Sequence, residues 1–348
     1  IAYKDEGNSN YGTAIVGTVS GTSISFGTAV VFQSAATDEI SAVYDSTNGK
    51  VVVSYREAAS SLSGRAIVGT VSGTSISFGT ETVFESGDTT YTSAVYDSTN
   101  GKVVIAYSDG GNGQYGTAIV GTVSGTSISF GTATVFESAD SNYISAAYDS
   151  TNNKVVIAYQ DDANSTFGTA VVGTVSGTSI SFGTPVVFNA AGTYFVSSSF
   201  DDNANKVVIS YRDSGNANYG TSIVGTVSGT SISFGTSVVF ENALTNYISS
   251  TFDSNLNKVV IAYSDSGNSN HGTSVVGTVS GTSISFGAAA VFENAASNYI
   301  SATYDSTNNK VVIAYQDSGN SGYGTGIVFT VGSTNNASFI GISDAAIS

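Results

Sequence analysis

The string TVSGTSISFG recurs along this chain at a constant interval of 52 residues. There is no insertion or deletion between copies, and a degenerate seventh copy, TVGSTNNASFIG, follows the sixth. A fixed period of this length is typical of proteins that repeat one supersecondary unit along the chain. The fold is therefore limited to an array of similar units. The copies begin at Thr18, Thr70, Thr122, Thr174, Thr226, Thr278 and Thr330.

Each repeat contains four short apolar runs, which we call A, B, C and D. All four are rich in Val, Ile, Thr, Tyr and Phe, which favour strands, and no window carries a helical period. Asn48-Gly49 predicts a tight turn between A and B, and Ser20-Gly21-Thr22 joins C to D. We expect four antiparallel strands per repeat and almost no α-helix. Examples of the runs are Ile40–Tyr44 (A), Val51–Tyr55 (B), Thr13–Val19 (C) and Ser23–Phe32 (D).

The other two connections are polar. B joins C through a loop such as Asp109–Tyr115, and D joins the next A through a loop such as Glu137–Tyr143. Run A has small residues at its middle, such as Ser41 and Ala42, which suit a crowded innermost strand. One column of run D contains both Glu and Pro, which predicts an outer edge strand because Pro cannot donate to a ladder on both sides. That column is Ala29, Glu81, Ala133, Pro185, Ser237 and Ala289.

Four antiparallel strands in about 50 residues match the size of a propeller blade. We predict an all-β chain that forms one seven-bladed β-propeller domain over residues 1–348, with a partial first blade at 1–39 and six further blades at 40–348. Ile1-Ala2-Tyr3 aligns with Val53-Ser54-Tyr55, so the chain opens inside run B. The first blade is therefore expected to lack its inner strand, which an upstream segment or a neighbouring chain would supply.

The repeat motifs also resemble a known kind of sequence. TVSGTSISFG, YDSTNGKVVIAY and the D-S-G-N-x-x-Y-G-T form of the B–C loop are similar to repeat arrays in predicted tail-fibre and other virion-surface proteins of marine bacteriophages. The resemblance covers nearly the whole chain. It implies an extracellular or virion-surface, host-facing or filament-forming role, and it brings no assigned catalytic residues.

Composition excludes several classes of function. The chain has 10 basic and 26 acidic residues, a net charge of −16, no Cys and one His. A disulfide scaffold, a zinc site and a thiol nucleophile are excluded, and the scarcity of basic residues argues against a nucleic-acid partner. No apolar run approaches the roughly 20 residues of a membrane span. The acids recur symmetrically with no distinguished pair, so we predict that the chain is not an enzyme.

The two ends of the strands differ in their chemistry. In an up-and-down blade the A–B and C–D turns share one face, and the B–C and D–A loops share the other. The first face is nearly constant between repeats, with a net charge of about −1, whereas the second varies and carries seventeen acidic side chains against four basic ones. We therefore expect the variable face to contact a partner.

The variable face places aromatic rings beside Asn and Asp, a combination that suits a sugar. A ring packs on the C–H face of the sugar, and the polar groups bond its hydroxyls. The competing interpretation is that the rings plug the core while Asp and Asn form ordinary turns. His271 replaces a Tyr in this pattern, which indicates a neutral substitution rather than a general base. The candidate residues are Asp109, Asn112, Tyr115, Asn164, Asp213, Asn216, Tyr219, Asp265, Asn268, His271, Asp317, Asn320 and Tyr323 from the B–C loops, and Tyr143, Tyr247 and Tyr299 from the D–A loops.

We predict no resident cofactor. Carboxylate and amide oxygens are calcium ligands, but each B–C loop supplies only one or two carboxylates, so calcium is an alternative. The leading hypothesis is a fibre or adhesion module that binds host-surface glycan or protein. A second hypothesis is a structural protomer of an extracellular filament, in which strands pair between copies of the chain. A third is a propeller glycosidase.

Overall fold

The computed structural model describes residues 1–331 and the short strand Ala345–Ile347. Within these residues the chain is all-β, as predicted. Its helices are six single 3-10 turns, so none of them has the length or apolarity needed to span a membrane. The chain divides into two compact units. The first is made of Ile1–Gly17, Phe26–Ser165 and Val171–Pro185, and the second of Thr18–Ser25, Thr166–Ala170 and Val186–Ser348.

The strands fall into four classes that recur with the sequence repeat. Strands of sixteen residues, here called bridging strands, are Val30–Asp45, Thr82–Asp97, Thr134–Asp149, Val186–Asp201, Val238–Asp253 and Ala290–Asp305. The B strands are Ala2–Asp5, Lys50–Glu57, Lys102–Asp109, Lys154–Asp161, Lys206–Asp213, Lys258–Asp265 and Lys310–Asp317. The C strands are Tyr11–Ala14 with Gly17–Ser20, Ser63–Ser72, Tyr115–Ser124, Phe167–Ser176, Tyr219–Ser228, His271–Ser280 and Tyr323–Phe329. The D strands are Ser23–Phe26, Ser75–Phe78, Ser127–Phe130, Ser179–Phe182, Ser231–Phe234 and Ser283–Phe286.

The 3-10 turns occupy the B–C connections. They are Glu6–Asn8, Gly110–Asn112, Asp162–Asn164, Ser214–Asn216, Ser266–Asn268 and Ser318–Asn320.

All strand pairing within a repeat is antiparallel. The B strand Lys102–Asp109 pairs on one side with the second half of a bridging strand, and on the other side with the C strand Tyr115–Ser124. That C strand pairs with the D strand Ser127–Phe130 and with the first half of the next bridging strand. The same register recurs around Lys258–Asp265 in the second compact unit.

Two details of the predicted strands are wrong. The segment Glu137–Tyr143, expected to be a loop, is extended and belongs to a bridging strand, because each half of that strand pairs with a different repeat. Run D is not continuous, since three residues without strand structure separate each D strand from the next bridging strand. The column that contains Pro185 lies in this break, where a missing N–H removes no ladder bond.

The first repeat is less complete than the others within the described residues. Its B strand, Ala2–Asp5, pairs with Tyr11–Ala14 and has no second partner strand in residues 1–331. An open cleft of about 220 Å³ lies beside it, and Ile1, Ala14, Val53 and Ile76 are among the residues that line it. At the other end of the chain, Ala345–Ile347 pairs with Gly324–Gly326.

Each hydrophobic core cluster joins the sheets of consecutive repeats. In the first compact unit, Val52, Ala66 and Val68 of one repeat pack with Val103 and Ile105 of the next, and all five are at least 99% buried. The second compact unit has corresponding clusters, such as the one that contains Val208, Val224, Val259 and Ile261. Sequential stacking of this kind explains why a B strand such as Lys102–Asp109 has buried side chains on both faces.

The invariant glycine that ends TVSGTSISFG also serves this stacking. A Cβ at Gly131 would overlap the carbonyl oxygen of Thr178 in the C–D turn of the next repeat, and Gly27, Gly79 and Gly235 approach the equivalent turns in the same way. Small residues of the inner strands form a second link. The backbone N–H of Ala94 donates to Ser41 Oγ at 3.0 Å, and Ala302 donates to Ser249 Oγ at 2.9 Å.

Candidate functional site

The B–C turns and the middle of the bridging strands meet at one edge of the sheets. Gly111, in a B–C turn, lies against Gly87 of the preceding bridging strand, and Gly319 lies against Ala295. The A–B and C–D turns meet at the opposite edge, where Lys50 Nζ donates to Thr70 Oγ1 at 2.8 Å. We call the first the variable edge and the second the constant edge.

The constant residues of the A–B turn are structural. Asp45 is fully buried, and its Oδ1 accepts from the backbone N–H of Thr47 and Asn48, each at 3.0 Å. Burial raises the pKa of Asp45, but hydrogen bonds from Asn48 and its neighbours outweigh that effect, so the pKa lies below its usual value. The Asp and Lys that recur at this edge therefore hold the turn.

The acids that open the B–C turns have a similar structural role. Asp317 accepts from the N–H of Gly319 at 2.8 Å, Asp265 from Gly267 at 2.9 Å and Asp213 from Gly215 at 2.9 Å. Asp109, Asp265 and Asp317 are at least 91% buried. The predicted excess of exposed acid at this edge is thus smaller than the sequence count indicated, because several carboxylates face inward.

A buried tyrosine and a glutamate lie behind each of several B–C turns. Tyr159 and Tyr263 are fully buried, and their hydroxyls donate to Glu137 Oε2 at 3.1 Å and to Glu241 Oε2 at 2.9 Å. Each of these glutamates also lies beside the acid of the following turn. Burial, and then repulsion from that neighbouring acid, raises the pKa of Glu137 and of Glu241. In the repeat where Asn189 replaces Glu, its Nδ2 donates to Asp213 Oδ1 at 3.1 Å.

We expect Glu137→Gln to raise the free energy of unfolding at neutral pH, because the amide removes a partly buried charge that Asp161 repels. The expected gain is only about 0.5–1 kcal/mol, because solvent screens part of that repulsion. A carboxyl whose pKa is raised by folding binds more protons in the native state, so stability falls as pH rises through the folded pKa. The variant should therefore gain little at mildly acidic pH. Chemical denaturation at the two pH values measures the difference. Asn189→Glu is the converse control and should destabilise more at neutral than at mildly acidic pH, because the loss of the Asn189 bonds counts at both pH values and the added charge only at the higher one. Equal effects of Glu137→Gln at both pH values would show that repulsion from Asp161 does not act on stability.

The remaining B–C candidates lie on the outside of their turns. The five asparagines are exposed and belong to the 3-10 turns, and each aromatic residue or His271 begins a C strand. No ring contact in residues 1–331 involves Tyr115, Tyr219 or Tyr323, and Tyr323 is 53% exposed. The structure therefore separates these rings from one another. The five asparagines are Asn112, Asn164, Asn216, Asn268 and Asn320.

The aromatic residues of the bridging strands are brought together instead. In each compact unit, rings from consecutive repeats touch. The ring centroids of Tyr91 and Tyr143 lie 5.2 Å apart in the first unit, and in the second the centroid of Tyr247 lies 5.3 Å from that of Phe195 and 5.2 Å from that of Tyr299. These are edge-tilted contacts of the kind that aromatic pairs prefer. Tyr299 is 70% exposed and the others are half-buried.

A β-bulge holds each of these rings in place. Tyr143 and Ile144 together oppose the single residue Tyr159, and Tyr143 has a left-handed φ of 49°. Tyr91, Phe195, Tyr247 and Tyr299 have φ values between 48° and 51°. Left-handed backbone is unfavourable for such residues, and strain of this kind concentrates at functional sites. The five rings at these bulges are here called the aromatic rows.

Acids and amides surround the first row. Tyr91 lies near Tyr143, Glu39, Asp140 and Asp162, and burial together with these neighbours raises its pKa to about 12. Burial and Asp162 raise the pKa of Asp140, while the Asn142 side chain opposes this by donating to it. The Gln114 amide nitrogen, when oriented to donate, lies 3.0 and 3.1 Å from the two Asp140 oxygens. No ion pair among residues 1–331 includes Asp140 or Asp162.

Two arginines occupy equivalent positions in other repeats. The guanidinium of Arg212 lies 4.6 Å from the ring centroid of Tyr194 and 4.9 Å from that of Phe195, and its Nη1 donates to Asn246 Oδ1 at 2.6 Å. Arg56 forms two bonds to Asp38, at 2.7 and 2.9 Å, and one to Asp88 at 3.1 Å. The candidates chosen from the sequence did not include these arginines, although aligning the repeats puts both in one column.

In residues 1–331, no three acidic or histidine side chains converge in a way that could hold a metal ion. The expectation of no resident cofactor stays a prediction, with calcium at the B–C turns as its alternative.

No family model matches the chain, and no curated protein matches it in sequence. Solved structures do resemble it. The BP39L lectin from Burkholderia pseudomallei has a TM-score of 0.70 at 11% identity, covering 98% of this chain and 96% of the lectin. The Aleuria aurantia lectin, described as a six-bladed β-propeller with a novel fucose recognition mode, has a TM-score of 0.54 at 14% identity over 88% of this chain and 95% of the lectin.

A third structure is the SapL1 lectin in complex with α-methyl fucoside. It has a TM-score of 0.51 at 14% identity, covering 84% of this chain and 92% of the lectin. At these identities the likeness concerns the fold, which is that of a β-propeller.

Proposed function

We propose that the chain is a non-enzymatic carbohydrate-binding module, built as a seven-bladed β-propeller, that presents its variable edge to a glycan on a host or neighbouring cell surface. The observation that carries the proposal is the pair of aromatic rows, which strained bulges hold at an edge rich in amides and carboxylates. The lectin folds of the structural neighbours support it by likeness.

The chemistry of the first row suits a sugar. The ring of Tyr143 offers an apolar surface for C–H groups, while Asn142, Asp140 and Gln114 offer hydrogen-bond partners for hydroxyls. Rings held by the backbone lose little side-chain entropy when a ligand stacks on them. Protein sites for small polar ligands combine apolar surface with a few fixed polar groups in this way.

The buried carboxylates favour binding over hydrolysis. The Glu–Asp neighbours behind the B–C turns recur in several repeats, where the Glu accepts from a buried tyrosine and the Asp accepts from its own turn, so no single pair within residues 1–331 is distinguished as an acid and a base. The resemblance to phage fibre repeats makes a virion-surface fibre or another extracellular appendage the proposed setting for the module.

Replacing rings of the aromatic rows should weaken glycan binding. We expect Tyr143→Asn, with Tyr247→Asn in the same chain, to lower affinity for a bound oligosaccharide by about tenfold or more, because each loses a stacking surface. Asn is chosen because it tolerates left-handed backbone, which limits damage to the fold. Titration calorimetry with an oligosaccharide identified on a glycan array measures the loss.

The matched control replaces the separated B–C rings. Tyr115→Ala with Tyr219→Ala also removes two rings from the variable edge, but none from the aromatic rows. It should therefore change the affinity by less than about threefold. Thermal unfolding of all variants checks that the fold persists. If the control variant loses binding and the row variant keeps it, the glycan contacts belong to the B–C turns.

A further inference from the structure

When the repeats are aligned, the residue immediately before the acid of each B–C turn forms one column, and its charge and size differ between repeats. Lys4, Arg56 and Arg212 fill the column with a cation in three repeats, whereas Ser108 and Ser264 leave a short side chain in two others. Ser108 is fully buried, and its hydroxyl donates to the carbonyl of Gln114 at 3.1 Å. It therefore does not reach the position that the guanidinium groups occupy.

The contacts of Arg56 and Arg212 show which groups surround a guanidinium at this position. Arg212 uses the ring of Phe195 and the Oδ1 atom of Asn246. Arg56 uses the carboxylate of Asp88, which belongs to the next bridging strand. These three partners represent a ring face, an amide oxygen and a carboxylate.

The repeat that contains Ser108 has a counterpart of each of these three partners and no arginine, although Thr90 stands where Asp38 contacts Arg56 and Tyr194 contacts Arg212. One or two repeat lengths relate Phe195 to Tyr91, Asn246 to Asn142, and Asp88 to Asp140. Asp162 adds a second carboxylate near Tyr91 and Asp140. The corresponding place beside Ser264 has Ala296 instead of a carboxylate.

We infer that this place beside Tyr91 receives a cationic group from the ligand, so that the module prefers a glycan with a free, protonated amino group, such as a glucosamine oligosaccharide. A cation over a tyrosine face is attracted by the ring quadrupole, and the carboxylates of Asp140 and Asp162 add attraction that salt weakens. An N-acetylated sugar lacks the charge. The inference rests on the proposed function, because it names the ligand class of the same edge.

The test uses the intact chain, a glucosamine oligosaccharide and its fully N-acetylated counterpart of equal length. We expect affinity for the free amine to exceed that for the N-acetylated sugar by about tenfold at low salt, and the preference to shrink as salt is raised. Ser108→Arg places in the site the arginine that other repeats have at this position. Its guanidinium should occupy the place of the ligand amine and remove the preference. Ser108→Gln is the neutral control, since Gln160 and Gln316 occupy this column elsewhere, and it should keep most of the preference.

The outcomes separate the two proposals. Equal affinity for both sugars, or a preference that Ser108→Arg leaves intact, overturns the amine site while glycan binding itself stands. Binding to neither sugar nor to any other glycan overturns the proposed function. Because Arg occurs at this position in two sibling repeats, unfolding of the Ser108→Arg variant is not expected. Asp140→Asn is a second variant that should reduce the preference without enlarging any side chain.

Discussion

Gly131→Ala is expected to lower the free energy of unfolding by about 3 kcal/mol, near the upper end of what overpacking costs. The added methyl group would overlap the backbone carbonyl of Thr178, which cannot turn away as a side chain would. The clash falls where one repeat stacks on the next, so both sheets would have to shift. Chemical denaturation of the variant and of the unchanged chain measures the loss.

Gly125→Ala is the matched control. Gly125 has a left-handed φ of 61° but no atom lies within 4 Å of a Cβ built there. Its replacement should therefore cost only the backbone strain, about 1–2 kcal/mol. A larger loss at Gly125 than at Gly131 would contradict the assignment of the final glycine to stacking between repeats.

Tyr263→Ala is expected to cost about 3–5 kcal/mol, because it removes a large, fully buried side chain and leaves a cavity. The ring centroid of Tyr263 lies 5.2 Å from that of Phe240, and its hydroxyl donates to Glu241 at 2.9 Å. Tyr263→Phe keeps the ring and removes the bond. It should cost about 1.5–3 kcal/mol, the range for a bond to a charged group.

Tyr211→Phe separates the contribution of the charged acceptor. Tyr211 has the same burial and the same ring contact, with Phe188, but its repeat has Asn189 in place of Glu, and its hydroxyl bonds to Ser237. Loss of a neutral bond should cost about 1 kcal/mol. Equal losses for the two Tyr→Phe variants in thermal or chemical unfolding would show that the glutamates behind the B–C turns contribute nothing specific.

The repeat made much of the fold predictable. Run B, and run C from the second to the sixth repeat, lie inside the observed strands because their Val, Ile and Tyr side chains are buried on both faces between stacked sheets. In the first repeat run C, Thr13–Val19, is interrupted at Ile15 and Val16. The A–B turn was predictable from Asn48-Gly49, since only a few residues accept left-handed backbone readily. These features depend on local sequence, and local sequence is identical or nearly so in every copy.

The bridging strands were not predictable in the same way. Ser138, Asp140 and Asn142 are typical of a loop, yet they are extended because pairing with two different repeats satisfies their backbone. The bulge at Tyr143 is a product of that change of partner. Pairing with the strands of two consecutive repeats decides it, and no property of the segment itself indicates it.

The site was predictable only in part. The sequence indicated aromatic and amide residues at the variable edge, but it could not distinguish the touching rings of Tyr143, Tyr247 and Tyr299 from the separated rings of Tyr115 and Tyr323. Its acids were counted as exposed charge, although the D-x-G-N pattern is also that of an aspartate that accepts hydrogen bonds from its own turn. The column of Arg56 and Arg212 was visible on aligning the repeats.

Binding of the purified chain to a glycan array, followed by competition with the soluble sugar, tests the central claim most directly. We expect the folded chain to bind at least one class of oligosaccharide and the free sugar to displace it. The Tyr143→Asn, Tyr247→Asn variant, folded as judged by circular dichroism, should lose this binding. Absence of binding to every glycan by a chain with an intact all-β spectrum would contradict the account.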